Sequence, residues 1–185
     1  MPDDALPFDL DAWLPAPAVR TRHRREAAAS PDALWAAAGA LRVDATGPLG
    51  RAVRWRIPGL PDGVTFRGMF AAPPFAVLAE GERWSLSGLV GRIWTLRRDY
   101  PLIAGAEGFR SWSTSGTARV VFANWVERTD AGGAALVSET RVRATDREGR
   151  VGVSAVRPLV SAFHSLIGRE ALDIAVRRAE AGAGL

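Results

Sequence analysis

The sequence predicts an α+β fold: a curved antiparallel β-sheet wrapped around a long C-terminal α-helix, with a short helix near the N-terminus. Three observations carry that expectation. Between residues 51 and 144 alternating, strand-like segments dominate, separated by proline and glycine turns. From Val156 onward the apolar residues take helical spacing and keep it. The other helix signal is the brief start "SPDALW" at Ser30. A bent antiparallel sheet leaves its hollow face open, and the long helix is the element able to cover it, which is a helix-grip arrangement.

A chain of 185 residues has room for one domain with a full core. Residues 1–17 read as an arm, 18–181 as a single ligand-binding domain and 182–185 as a tail. Hydrophobic residues at 48% and charged residues at 24% are ordinary for a globular chain. No run approaches the roughly 18 apolar residues of a membrane span. The start, "MPDDALPFDLDAWLPAP", is acidic and proline-broken, unlike a secretory signal, so cytoplasm is the expected compartment. The chain has no cysteine, which excludes disulfides, thiolate metal sites and cysteine nucleophiles. Its isoelectric point near 11.0 overstates its basicity. With no lysine and one tyrosine, a net charge of +4 meets almost nothing that titrates below arginine. The densest basic run, "RTRHRR", reads as a solvated strand face, and no nucleic-acid-binding module accompanies it.

Each element has its own local reason. In the arm, Phe8, Trp13 and Leu14 are able to latch onto the body. Val19 to Ala27 alternates as a strand. Ser30 caps a helix with Pro31 at its first position and Asp32 in its first turn, and Leu34, Trp35, Ala38 and Leu41 form its apolar stripe. "RAVRWRI", "VTFRGMFA", "FAVLAEG" and "RWSLSGLVGRIW" read as strands in turn. Gly88 and Gly91 in the last mark bulges or bends. Thr95 to Gly108 has no clean period and reads as a loop over a pocket. "FRSWSTSGTARVVFANWVERTD" and "ALVSETRVRATD" flank "AGG" and form a hairpin. The terminal helix carries Val156, Val160, Phe163 and Ile167 on one stripe, with Pro158 marking its first turn or a kink.

On "VRTRHRREAAASPDALWAAAGAL", "GLVGRIW" and the run "ANWVERTDAGGAALVSETRVRATD" leading into the last helix, the chain resembles the START-related SRPBCC superfamily. Its second half is similar to a little-characterised bacterial branch whose hairpin commonly reads "N…TETRV". Asn124 and Ser138-Glu139-Thr140-Arg141-Val142 match that pattern, with serine for the first threonine. Pro158 matches the start of the branch's terminal helix, whereas "GVSAV" lacks its aromatic residues. The resemblance implies a helix-grip fold, and it spans lipid carriers, polyketide cyclases, hormone receptors and chaperone activators.

The residues themselves point to a cavity rather than a catalytic motif. His23 and His164 have no partners at metal spacing, so neither metal nor cofactor is expected. No G-x-S-x-G occurs, and "STSGT" lacks a companion His-Asp arrangement. Seven tryptophans are many for this length, and such rings line pockets as well as fill cores. Trp94, ending a strand before the loop, is the favoured pocket residue, with Trp112 and Phe163 as further candidates. Arg92 shares a strand face with Val90 and Trp94 in this reading. Glu139 and Arg141 share a face of the last strand. Asn124 lies opposite them if position 126 pairs with 137, whereas a slip of one brings Trp125 and Ala123 opposite instead. Patterning alone turns Leu136, Ser138, Thr140 and Val142 inward and leaves Glu139 and Arg141 to solvent. The resemblance pulls the other way, and both remain open.

The expected function is non-catalytic binding of a hydrophobic or amphipathic small molecule, a lipid, polyketide or aromatic compound, between sheet and helix. The alternative is a cyclase or dehydratase in the same cavity, with His23, Arg92, Glu139 and His164 as acid–base and oxyanion candidates. The second alternative is a protein–protein module of chaperone-activator type. A small-molecule partner is thus expected, with no nucleic acid and no membrane insertion.

Overall fold

The computed structural model describes residues 8–183 apart from 58, 96, 98, 99 and 131; at 159–161, 163, 164, 168, 169 and 183 the description stops at the backbone. Five strands form one antiparallel sheet: β1 (Val19–Ala27), β2 (Ala76–Gly81), β3 (Trp84–Gly91), β4 (Ala118–Arg128) and β5 (Ala134–Ala144). Their spatial order is β1-β5-β4-β3-β2, so the sheet has two edges and does not close. The chain's last strand therefore lies second from one edge, paired with β1 on one side and β4 on the other.

Helices cover both faces of this sheet. On the outer face lie α1 (Leu10–Trp13) and, from further along the chain, residues Gly105–Ser111. Leu10, Trp13, Leu14 and Phe109 are buried there among Leu86, Val90, Val121, Trp125 and Val137. On the inner face lie α2 (Pro31–Gly39), α3 (Pro48–Arg56), α4 (Phe66–Phe70) and the C-terminal helical run. With α5 assigned to Gly105–Ser111, that run comprises α6 (Arg147–Leu166), a π-helical turn Ile167–Ala171, and α7 (Leu172–Ala183). The fold is the expected α+β helix-grip. Ser30 caps α2 as its sequence demands, its hydroxyl accepting from the Ala33 N–H at 3.2 Å.

Four local expectations are corrected. "RAVRWRI" and "VTFRGMFA" are helices, α3 and α4, not strands. Seven residues satisfy both periods, and local caps decide: Pro48 opens α3, while the Thr65 hydroxyl accepts from Gly68 N–H at 3.1 Å to start α4. Helical spacing then buries Leu49 and Val53 on one side of α3. Strand β3 stops at Gly91, so Arg92 and Trp94 share no strand face with Val90. Phe109 to Ser111 belong to α5, and β4 begins only at Ala118. The terminal helix starts nine residues before Val156, at Arg147, where the Asp146 carboxylate accepts from Gly149 N–H at 2.8 Å; Pro158 lies inside it.

Gly88 serves packing rather than a bend. A Cβ there would come within 2.7 Å of the Phe109 ring and 2.9 Å of Leu78. The irregularity falls on its partner strand instead, where the β2 register shifts between Val77 and Ala79.

Candidate functional site

Between the inner face of the sheet and its helices lies a cavity of about 410 Å³. Strand register sorts the inner face of the sheet into rows, because paired residues of an antiparallel sheet point to the same side; the row members on β2 to β5 line the cavity, and those on β1 continue the rows beyond its lining. One row is apolar: Leu89, Val120, Val142 and Val19. The next holds Ser87, Phe122, Thr140 and Thr21. The third is polar throughout: Glu80, Ser85, Asn124, Ser138 and His23. The roof is apolar, with Trp35 and Ala38 from α2, Val53 from α3, Phe70 from α4, and Ile167, Leu172 and Ala175 from the terminal helix. Phe70, Phe75 and Phe122 pack edge to face and tilted at 5.0 to 5.5 Å between ring centres, giving one wall an aromatic surface.

Polar ties hold the roof in place. Arg56 lies along the cavity wall and donates to the carbonyls of Ile93 at 2.8 Å and Thr95 at 3.0 Å, so α3 is fastened to the segment after β3. Glu170, in the π-helical turn, accepts from the Leu49 N–H at 3.1 Å. That bond satisfies an otherwise orphaned donor in the first turn of α3. Trp55, beside Arg56 on α3, is 51% exposed and is also among the residues lining the cavity.

Of the residues singled out from sequence, Asn124 lines the cavity. His23 stands at the β1 end of the same polar row, half-buried. The other described candidates lie elsewhere. Trp94 sits against α6, where a Cβ on Gly152 would fall 2.3 Å from its ring. Arg92 donates to the Gly116 carbonyl at 3.2 Å and faces Glu148 at 3.8 Å. Trp112 is on the outer side, its indole N–H donating to Thr117 Oγ1 at 3.0 Å. Phe163 and His164 are on α6, and their side chains lie outside the described residues.

Glu139 and Arg141 answer the open question of face. The hairpin pairs Val126 with Leu136, so Ala123 opposes Glu139, and Asn124 opposes Ser138. Leu136, Ser138, Thr140 and Val142 therefore look into the cavity, while Glu139 and Arg141 look out, away from Asn124. Yet they do not reach solvent: they are 2% and 4% exposed under the N-terminal segment. Arg141 Nε donates to Glu139 Oε1 at 2.7 Å, its Nη1 meets Asp11 Oδ1 at 2.6 Å, and Arg20 Nε lies 2.9 Å from Glu139. Burial works against the Arg141 charge, but hydrogen bonds to Glu139 and Asp11 outweigh it and raise its pKa above the usual arginine value.

Patterning turns Ser138 and Thr140 inward, but it assigns no site role to them or to Ser85 and Ser87. The signal was present, since Ser85/Ser87 and Ser138/Thr140 are spaced two apart, the strand period that puts both on one face. Thr140 is 4% exposed and lines the cavity, and its Oγ1 has no hydrogen-bond partner. Thr21 is its register neighbour, and its Oγ1 is likewise buried and unpartnered. Among the described residues no group of three histidine or acidic side chains could hold a metal.

Fold and site together define a helix-grip protein with an internal, largely apolar chamber. Neither a family model nor a curated protein sequence matches the chain. Among solved structures it is similar to TTHA0849 from Thermus thermophilus, at 12% identity and a TM-score of 0.33, covering 89% of this chain and 99% of that one. It is also similar to the di-domain ARO/CYC StfQ from the steffimycin biosynthetic pathway, at 12% identity and a TM-score of 0.34, covering 90% of this chain and 52% of that one. No helix among the described residues is long and apolar enough to cross a membrane.

Proposed function

We propose that the protein is a non-catalytic binder of a hydrophobic or amphipathic small molecule, held between sheet and terminal helix for carriage or sensing. The observation that carries this reading is the cavity of about 410 Å³ walled by Trp35, Val53, Phe70, Phe122 and Ile167. Close-packed interiors do not ordinarily leave such a space, and its size is that of small-molecule sites. Membership of the START-related SRPBCC superfamily belongs to the same proposal. It is supported by the order of elements and by the run from Ser138 to Val142.

Denaturing mass spectrometry of the natively purified protein tests the proposal, together with titration of a fluorescent lipid. The expected result is a co-purifying small molecule, or one lipid bound per chain and displaced by an apolar competitor. A protein that is empty and binds no lipid overturns it. The polar row Ser85–Asn124–Ser138–His23 favours keeping a second reading, a cyclase or dehydratase acting in the same chamber. Turnover of a bound polyketide-like compound, lost in Asn124→Ala, would move the assignment there.

A further inference from the structure

Along β4 the inward side chains Asn124, Phe122 and Val120 grade the cavity floor from polar through aromatic to aliphatic. They stand two residues apart, about 6.8 Å per step in an antiparallel strand. Asn124 is flanked in register by Ser85 on β3 and Ser138 on β5, and all three line the cavity. Asn124 and Ser85 are only half-buried although both sit on inner strands, so their free surface lies on the face that the cavity occupies. Among the described residues, no group hydrogen-bonds the Asn124 carboxamide or the hydroxyls of Ser85 and Ser138. Phe122 forms an aromatic wall with Phe70 and Phe75, which also line the cavity. Charged groups stand at the ends of the polar strip. Glu80 and Arg67, exposed and 3.9 Å apart, lie beyond Ser85, and His23 lies beyond Ser138, outside the cavity lining.

Resting on the binding reading above, we propose that the ligand is an aromatic amphipath whose head both donates and accepts hydrogen bonds, such as a carboxamide, lactam or hydroxy-carbonyl group. The head docks on Asn124 between Ser85 and Ser138, the ring lies against Phe122, and any aliphatic remainder runs toward Val120, Leu89 and Val142. The Asn124 side chain offers a carbonyl acceptor and an amide donor side by side, and a head carrying the complementary pair answers both. A ketone answers the donors alone. A hydrocarbon answers neither and strips the carboxamide of its water. Ring contact with Phe122 and its aromatic neighbours adds packing of its own.

Equilibrium dialysis with 2-naphthamide, 2-acetylnaphthalene and 2-isopropylnaphthalene varies the head on one ring at nearly constant shape. Each affinity is compared between the wild-type protein and Asn124→Leu, which replaces the carboxamide by an apolar group of similar size. Binding of 2-naphthamide is expected to weaken about 10-fold and that of 2-acetylnaphthalene about 3-fold, while 2-isopropylnaphthalene binds as tightly or more tightly. Retained hydrocarbon binding shows that the variant is folded with its chamber intact. Should Asn124→Leu fail to fold, Ser85→Ala/Ser138→Ala is expected to cost 2-naphthamide about 5-fold and to leave the hydrocarbon unchanged. Loss of the same factor for all three probes, or no loss for any, overturns this inference and leaves the binding reading standing. If the wild-type protein binds none of the three, both fall together.

Discussion

Glu139 and Thr140 are consecutive residues that serve opposite sides of the sheet. Thr140 lines the cavity on the inner face, its hydroxyl buried and without a partner, and Glu139 is buried on the outer face between Arg20 and Arg141. Strand β5 is buried at nine successive positions because both of its faces are covered, one by the terminal helix and one by the N-terminal segment. The charged row is neither solvated nor part of the cavity wall; it fastens the N-terminal segment to the sheet.

Removing Glu139 should therefore damage stability and spare binding. Glu139→Gln leaves Arg141 buried with its charge answered by Asp11 alone, which is 72% exposed at its side chain. The expected loss is about 3 kcal/mol, the lower end for breaking a buried pair, read from urea unfolding. Affinity for the cavity ligand should change by less than about 2-fold, since the carboxylate lies on the other face.

Thr140→Val should have the opposite character. It removes a buried hydroxyl that has no partner and keeps the side chain's shape. The ligand-free protein should gain about 1 kcal/mol in thermal or urea unfolding. A loss of that size would mean that the hydroxyl has a bound water worth keeping.

Trp94 and Gly152 form a close contact that a methyl group should spoil. Gly152→Ala puts its Cβ against the indole and should cost about 1–3 kcal/mol, despite alanine's better helix propensity. Combined with Trp94→Leu the cost should shrink, and a double-mutant cycle measures that coupling. Simple additivity would show that the crowding is relieved elsewhere.

Filling the chamber should block it. Ala175 is fully buried on α7 and lines the cavity, so Ala175→Leu directs new volume into the space. Binding of an apolar probe should weaken by at least about 10-fold while the fold survives, because existing space absorbs the larger side chain. Unchanged affinity would locate the ligand elsewhere.

Acid should loosen the start of the terminal helix. Asp146 is held down to a pKa of about 2, first by the Ser115 hydroxyl and then by the Gly149 and Gly116 N–H groups. Its ordinary value is 3.8, so the unfolded chain takes up the proton first. The stabilisation is complete above that value and is lost as pH falls through about 2. Asp146→Asn should flatten the fall in stability between pH 4 and pH 2, measured by acid titration of the helical circular dichroism signal.

Much of this was legible in the residues. The Ser30–Pro31–Asp32 start, the alternation of Val19 to Ala27, the hairpin around Gly132 and the long apolar stripe of the last helix are local signals, and each formed its element. "RAVRWRI" was not legible, because seven residues fit a strand and two turns of helix equally well. Only burial of Leu49 and Val53 beneath the terminal helix and the cap at Pro48 separate the two.

The sequence by itself determined the fold class, the covering helix and the alternation that sets Glu139 and Thr140 on different faces. Those follow from backbone geometry acting over a few residues. Tertiary structure alone decided the register of 126 with 136, which hydroxyls stand in one row, and that the outer face of β5 is roofed by α1. Register and burial arise from contacts between residues far apart in the chain. Arg141 meets Asp11 across 130 positions, and no local period carries that pairing.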